Sequence, residues 1–195
     1  MDHKESPQDQ IKPILELFFS GQVHEALNEV ENLINDFPNE PILFNFCGVF
    51  YKEIGRLDMA IKRFEKALAI NPDYAEAHNN LGVTLQNLGL MDEAVKSYEK
   101  AIAIKPDHAE AHNNLGNIFK ELDQLDAAVK SYGKVIDINP DYPEAHYNLG
   151  NTLRELGQLE TAIKSYEKVI AIKPDYAEVH FNNLLFIYSI FCNVA

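Results

Sequence analysis

Apolar residues recur at steps of three and four along most of the chain. Ala77, Leu81, Leu85 and Leu88 mark one such stripe, and Ala94, Val95, Tyr98, Ala101, Ile102 and Ile104 mark a second. This spacing puts each set on one face of an α-helix. Gly89 lies between the stripes, where freedom at positive φ lets one helix end and the chain turn, and Asp92 can support the start of the next. Pro106 stops the second helix, because it lacks an N–H and disfavours helical geometry at Lys105 before it. The pattern predicts a hairpin of two amphipathic helices.

The hairpin repeats. HNNLG at His78 to Gly82 returns at His112 to Gly116 and, as HYNLG, at His146 to Gly150, an offset of 34 residues. KSYEKAIAIKPD from Lys96 returns as KSYGKVIDINPD from Lys130 and as KSYEKVIAIKPD from Lys164, and Pro38, Pro72, Pro140 and Pro174 keep the same beat. A period of this length marks a supersecondary unit that cannot bury its own apolar face and therefore stacks on its neighbours. The organisation expected is a flexible N-terminus over 1–6, a degenerate first repeat over 7–40, and further repeats over 41–74, 75–108, 109–142 and 143–176. An unfinished sixth repeat or terminal helix follows over 177–195.

Around Gly82 these residues resemble the tetratricopeptide repeat (TPR) family: a large residue, Leu-Gly, an aliphatic residue, then Gly, Ala, an aromatic and Pro, here His78, Leu81, Gly82, Leu85, Gly89, Ala94, Tyr98 and Pro106. The resemblance covers residues 41 to 183 clearly and 8 to 38 more weakly. It implies an all-α, right-handed α-solenoid of tandem antiparallel hairpins. Small residues are needed where the two helices cross, and Gly48, Gly82, Gly116 and Gly150 supply them opposite Ala60, Ala94, Ala128 and Ala162. Bulk there overpacks the contact. Pro13 and Ile14 stand where Leu-Gly belongs in the first unit, so its first helix is expected to start late or bend. Asp123 replaces the turn glycine of the fourth unit and tolerates the left-handed conformation better than most residues.

In this family the first helices of successive hairpins line a concave face, so the resemblance directs attention inward. The faces opposite the apolar stripes carry Asn79, Asn80, Val83, Gln86 and Asn87 in one unit and Asn113, Asn114, Asn117, Lys120 and Glu121 in the next. Tyr147, Asn148, Asn151, Arg154 and Glu155 follow, with Asn45, Val49 and Lys52 in the second unit. The ladder Asn80, Asn114, Asn148 is the leading feature, since each amide offers the donor and the acceptor that an extended peptide backbone requires. Helices stand about 8–10 Å apart and a strand advances about 3.3 Å per residue, so one Asn meets roughly every third peptide residue. At about 0.5–1.5 kcal/mol net per hydrogen bond, three rungs alone bind weakly. The ladder is similar to that of the superhelix in front of O-GlcNAc transferase, where such asparagines hold substrate polypeptide. The alternative is that these asparagines solvate the face or brace neighbouring helices. Lys120 and Arg154, beside Asn117 and Asn151, suggest a grip on a carboxylate, as in chaperone-binding members of the family; Glu121 and Glu155 follow directly and would neutralise them.

Composition narrows the function classes. The formal charge of -13 argues against a nucleic-acid or anionic-membrane surface, and a neutral or basic protein partner suits it better. MDHKESPQDQ has neither the basic start nor the apolar stretch of a secretory signal, so the expected compartment is cytoplasmic. Cys47 and Cys192 form no ligand pattern and read as core hydrophobes. His78, His112, His146 and His180 occur once per unit, too far apart for the ~2 Å bonds of a shared zinc ion, and read as structural. Tyr74, Tyr142 and Tyr176 read as packing for the turns between repeats. No nucleotide-binding or nucleophile motif occurs, and neither a metal nor a cofactor is expected. The stretch through Phe186, Ile187, Ile190 and Phe191 is apolar almost all round, which predicts self-association through the C-terminal end. Three functions follow: a non-enzymatic scaffold for an extended peptide, the recognition arm of a glycosyl- or sulfotransferase-like enzyme, or a self-assembling oligomer.

Overall fold

The structure is a computed structural model that describes residues 7–175. These residues form ten α-helices and no strand: α1 (Pro7–Phe19), α2 (Val23–Asp36), α3 (Pro41–Glu53), α4 (Leu57–Ile70), α5 (Ala75–Asn87), α6 (Met91–Ile104), α7 (Ala109–Glu121), α8 (Leu125–Ile138), α9 (Pro143–Glu155) and α10 (Leu159–Ile172). Consecutive helices pack as hairpins, α1 on α2, α3 on α4, α5 on α6, α7 on α8 and α9 on α10. The chain is therefore an all-α helical repeat of the solenoid class. It divides into two compact units, the first ending at Pro106 with α6 and the second beginning at Asp107 before α7. The apolar C-terminal stretch, with Tyr176, His180 and Cys192, lies outside the described residues, as do residues 1–6.

Each hairpin turns through one left-handed residue. Gly89 takes φ 76°, and Asp123, which replaces glycine in its unit, takes φ 58°. In both turns two crossed bonds close the helix end: Leu90 N–H to the Leu85 carbonyl at 3.0 Å with Gly89 N–H to Gln86 at 2.9 Å, and Gln124 N–H to Phe119 at 2.7 Å with Asp123 N–H to Lys120 at 3.0 Å. This double bond satisfies carbonyls that the helix end would otherwise leave unpaired. Asp92 supports the start of the next helix from its first turn rather than from the cap position. Leu90 holds the cap position without a side-chain bond, and Asp92 lies in the first turn of α6, where its charge acts on the helix dipole instead.

The helices cross at glycine, and the residue facing it is aromatic. A Cβ on Gly82 would stand 2.6 Å from the Tyr98 ring, and one on Gly48 2.6 Å from Phe64; Gly116 and Gly150 meet Tyr132 and Tyr166 in the same way. Ala94, Ala128 and Ala162 are buried one turn earlier, and the aromatic ring is the nearest side chain to the glycine, a contact the sequence did not point to. In the first hairpin α1 begins at Pro7 and runs through Pro13 rather than starting late. Ile11 and Ile14 join Val30, Leu43, Phe50 and Phe64 in the core of the first unit.

The turns between repeats are tied by side chains. Asn71 accepts from the Asp73 backbone N–H at 3.1 Å, and His78 Nε2 lies 3.0 Å from the Pro72 carbonyl. In the second unit Asn139 accepts from Asp141 at 3.2 Å and His146 Nε2 lies 2.8 Å from Pro140. A carbonyl only accepts, so each ring carries its proton on Nε2. The histidines thus fasten the proline turn to the helix that follows it.

Candidate functional site

The site residues expected on the first helices fall into two groups. Asn45, Asn79 and Asn151 are buried, at 6%, 6% and 8% exposure. Asn80, Asn113, Asn114, Asn117, Lys120, Tyr147, Asn148 and Arg154 are half-buried. None is fully exposed, so these amides are placed in a packed surface and held by it.

Their partners show how. In the first unit Asn80 Nδ2 donates to Asn45 Oδ1 at 3.0 Å, joining α5 to α3. In the second unit Asn148 Nδ2 donates to Asn117 Oδ1 at 3.2 Å, joining α9 to α7. Asn80 and Asn148 of the ladder therefore do brace neighbouring helices. Each spends one amide proton on that bond, which leaves the second proton and the carbonyl oxygen for another partner. Asn113 Oδ1 is buried with no hydrogen-bond partner among the described residues.

Sequence reading missed the hydroxyls beneath this surface. Tyr132 Oη donates to Asn117 Oδ1 at 2.7 Å, and Tyr166 Oη donates to Asn151 Oδ1 at 2.8 Å. Both rings come from second helices and are fully buried against glycine. Burial pushes the Tyr166 hydroxyl up to about 12 and raises Tyr132 further, with Glu121 and Glu155 adding to the Tyr132 shift, so both stay protonated donors. In the first unit Tyr98 donates to Gln86 Oε1 at 3.0 Å instead. The only signal in the sequence was a tyrosine recurring 15 residues after Asn117 and Asn151, without any indication that the two meet.

The family follows from the sequence pattern of these hairpins. The pattern described as TPR repeat matches residues 48–89, 91–123, 116–153 and 150–182, and a second, described as tetratricopeptide repeat, matches 75–105. The chain belongs to the tetratricopeptide repeat family. Among solved TPR-like structures, PilF of Pseudomonas aeruginosa superposes with a TM-score of 0.80 at 18% identity, over 85% of this chain and 76% of that one. A thermophilic TPR protein of Thermus thermophilus, TTC0263, gives 0.73 at 20% identity over 93% and 100%. YrrB, described as a TPR protein with an unusual peptide-binding site, gives 0.69 at 23% identity over 94% and 95%. At these identities the likeness is one of fold. No curated protein matches at the level of sequence.

Charge on the TPR first helices is partly cancelled. Lys120 pairs with Glu155 across α7 and α9 at 3.2 Å, whereas Arg154 makes no ion pair among the described residues. The neutralisation expected from Glu121 and Glu155 thus falls on one cation of the two. The first unit also carries an aromatic run that sequence reading passed over: Phe19, 80% exposed, meets Phe18 edge-on, Phe18 stacks on Phe50 at 4.7 Å, and Phe50 lies 6.3 Å from Phe46. Among the described residues no helix is long and apolar enough to cross a membrane, and no group of three His, Cys, Asp or Glu could hold a metal.

Proposed function

We propose that the chain is a non-enzymatic interaction scaffold that binds an extended peptide segment on the groove lined by its first helices. The observation that carries this reading is the state of Asn80 and Asn148. Each amide is pinned by one hydrogen bond to the neighbouring first helix, at 3.0 and 3.2 Å, and keeps a donor and an acceptor in reserve. A peptide main chain needs both, and a side chain already held in place loses little freedom on binding. Bracing and binding are then two uses of one residue.

The TPR fold supports a protein or peptide partner in general, and the neighbour YrrB is described as peptide-binding. The acidic balance of the chain, -13, suits a partner whose overall charge is neutral or basic. A random peptide display library panned on the full chain, followed by NMR titration of a selected peptide, tests the reading. Shifts confined to the Asn80, Asn114 and Asn148 side-chain amides and their helices are expected. Shifts confined to α4, α6, α8 or α10 would overturn it.

A further inference from the structure

We propose that Asn148 has two seats on α7, one at Asn117 and one at Asn113, and that a peptide main-chain N–H moves it from the first to the second by taking its place on Asn117. This rests on the groove reading above and names, for one rung, the group recognised and the side chains that move.

The two units anchor their ladder residue differently. Asn80 donates to Asn45, 35 residues earlier, at 3.0 Å, whereas Asn148 donates to Asn117, 31 residues earlier, at 3.2 Å. The residue 35 before Asn148 is Asn113, the counterpart of Asn45 two repeats on. Its Oδ1 is buried and accepts no hydrogen bond among the described residues. A carbonyl in that state has lost its water and gained nothing in return. Asn113 and Asn117 lie one turn apart on the same face of α7, about 6 Å along its axis. Asn80 shows that a side chain at the ladder position reaches the seat that Asn113 leaves open, so a change of rotamer at Asn148 separates the two arrangements.

The first unit lacks the Asn117 seat, and the sequence says why. Val49 stands where α7 has Asn117, and Phe64 stands where α8 has Tyr132. The second acceptor and the hydroxyl that holds it are absent together. In the second unit Tyr132 donates to Asn117 Oδ1 at 2.7 Å, and Asn148 Nδ2 takes the other lone pair of the same oxygen. That oxygen then has nothing left to offer a ligand.

The exchange keeps every bond the protein has. When Asn148 Nδ2 passes from Asn117 to Asn113, the buried Asn113 oxygen gains the partner it lacks. Asn117 Oδ1 keeps Tyr132 and frees one lone pair, to which a main-chain N–H of the peptide donates. The two arrangements trade a paired Asn113 against a doubly bonded Asn117 and so lie close in free energy, the condition under which a ligand that prefers one of them moves the balance. Tyr132 is the positioning residue, since its hydroxyl keeps the Asn117 oxygen turned toward the place Asn148 leaves. A seat of this kind reads an N–H and rejects proline, which has none.

The test uses the full chain and a display-selected peptide, resynthesised as a set with one main-chain N–H methylated at a time. Asn113→Ala should bind the unmethylated peptide about tenfold more weakly than the parent, the worth of one hydrogen bond. Of the positions where methylation costs the parent about tenfold, one should cost Asn113→Ala nothing, because Asn148 then has no second seat and the Asn117 lone pair stays taken. The Asn148 side-chain amide should shift on peptide binding in the parent and stay in place in Asn113→Ala, read by NMR. Tyr132→Phe keeps the ring on Gly116 and should remove the same methylation penalty. Without peptide, Asn113→Ala should leave the urea midpoint unchanged or raise it, whereas Asn45→Ala lowers it. Equal peptide affinity of Asn113→Ala and parent, one methylation pattern common to all three chains, or a midpoint lowered as much by Asn113→Ala as by Asn45→Ala overturns the exchange and leaves the groove reading standing. A library that yields no peptide shifting the first-helix amides overturns both.

Discussion

Gly82 and Tyr98 touch as closely as two residues of one hairpin can: a methyl group on Gly82 would lie 2.6 Å from Cε1 of the Tyr98 ring. The ring is fully buried and its hydroxyl is held by Gln86 at 3.0 Å, so it has nowhere to retreat. Gly82→Ala is expected to cost about 1–3 kcal/mol through overpacking, although alanine is the better helix former. Urea unfolding of the variant against the parent measures it. An unchanged midpoint would mean that the ring can shift.

Gly133 gives the opposite expectation from the same residue type. It lies within α8, and a Cβ there would meet nothing within 4 Å. Gly133→Ala should therefore stabilise the chain by up to about 1 kcal/mol, the difference in helix propensity. Thermal unfolding followed by circular dichroism should show a higher midpoint; a lower one would contradict the open space beside α8.

These two glycines show what the sequence could and could not convey. Period, turn residues and helix stops are local, so the hairpins, the left-handed Asp123 and the need for small residues at Gly82 and its repeats were all legible along one strand of text. The partner across the crossing was not. Side chains lean along the helix according to rotamer, and that lean brings the Tyr98 ring to Gly82. The amide network was less legible still. Asn80 meets Asn45 and Asn148 meets Asn117 across separate helices, 35 and 31 residues apart, a spacing on either side of the repeat that no periodicity singles out. Asn79 reads as a groove residue on a helical wheel, yet it is buried at 6%.

His78 should make stability depend on pH. Burial lowers its pKa below the ordinary 6.5, with Lys100 adding to the effect, while the Pro72 carbonyl and Asp73 work against it. The unfolded chain then binds a proton that the folded chain refuses, so unfolding is favoured as the pH falls. The contribution is fully present above about pH 6.5 and is lost progressively below it, toward and past the folded value. Urea midpoints measured from pH 8 to pH 5 should fall on the acid side, and His78→Gln should reduce that slope. A slope identical in parent and variant would remove His78 from the account.

Cys47 should behave as a core residue rather than a reactive thiol. It is fully buried on α3, and burial pushes its thiol up to about 12, an effect that Arg63 only partly offsets. Nucleophilic attack needs the thiolate. Iodoacetamide at neutral pH should leave Cys47 unmodified in the folded chain and modify it in urea, read by peptide mapping so that Cys192 is scored separately. Labelling of Cys47 at equal rates in both conditions would show that α3 opens readily.

The two uses assigned to Asn80 can be separated by energy. Asn45 is 6% exposed and accepts the Asn80 amide at 3.0 Å, so Asn80→Ala leaves a buried acceptor short of its partner. The expected cost is about 1–3 kcal/mol, more than the ~1 kcal/mol net value of a typical hydrogen bond, because desolvation of Asn45 is no longer offset. Removing both side chains should cost less than the two single changes added together, a positive coupling that a double-mutant cycle of Asn45→Ala and Asn80→Ala reads directly. Peptide affinity follows a different rule. Asn45→Ala removes the pin but keeps the Asn80 amide, so it should weaken capture of a display-selected peptide less than Asn80→Ala does. If the two changes weaken capture equally, the ladder acts on the peptide only through the spacing of α3 and α5, and the direct contact assigned to Asn80 is wrong.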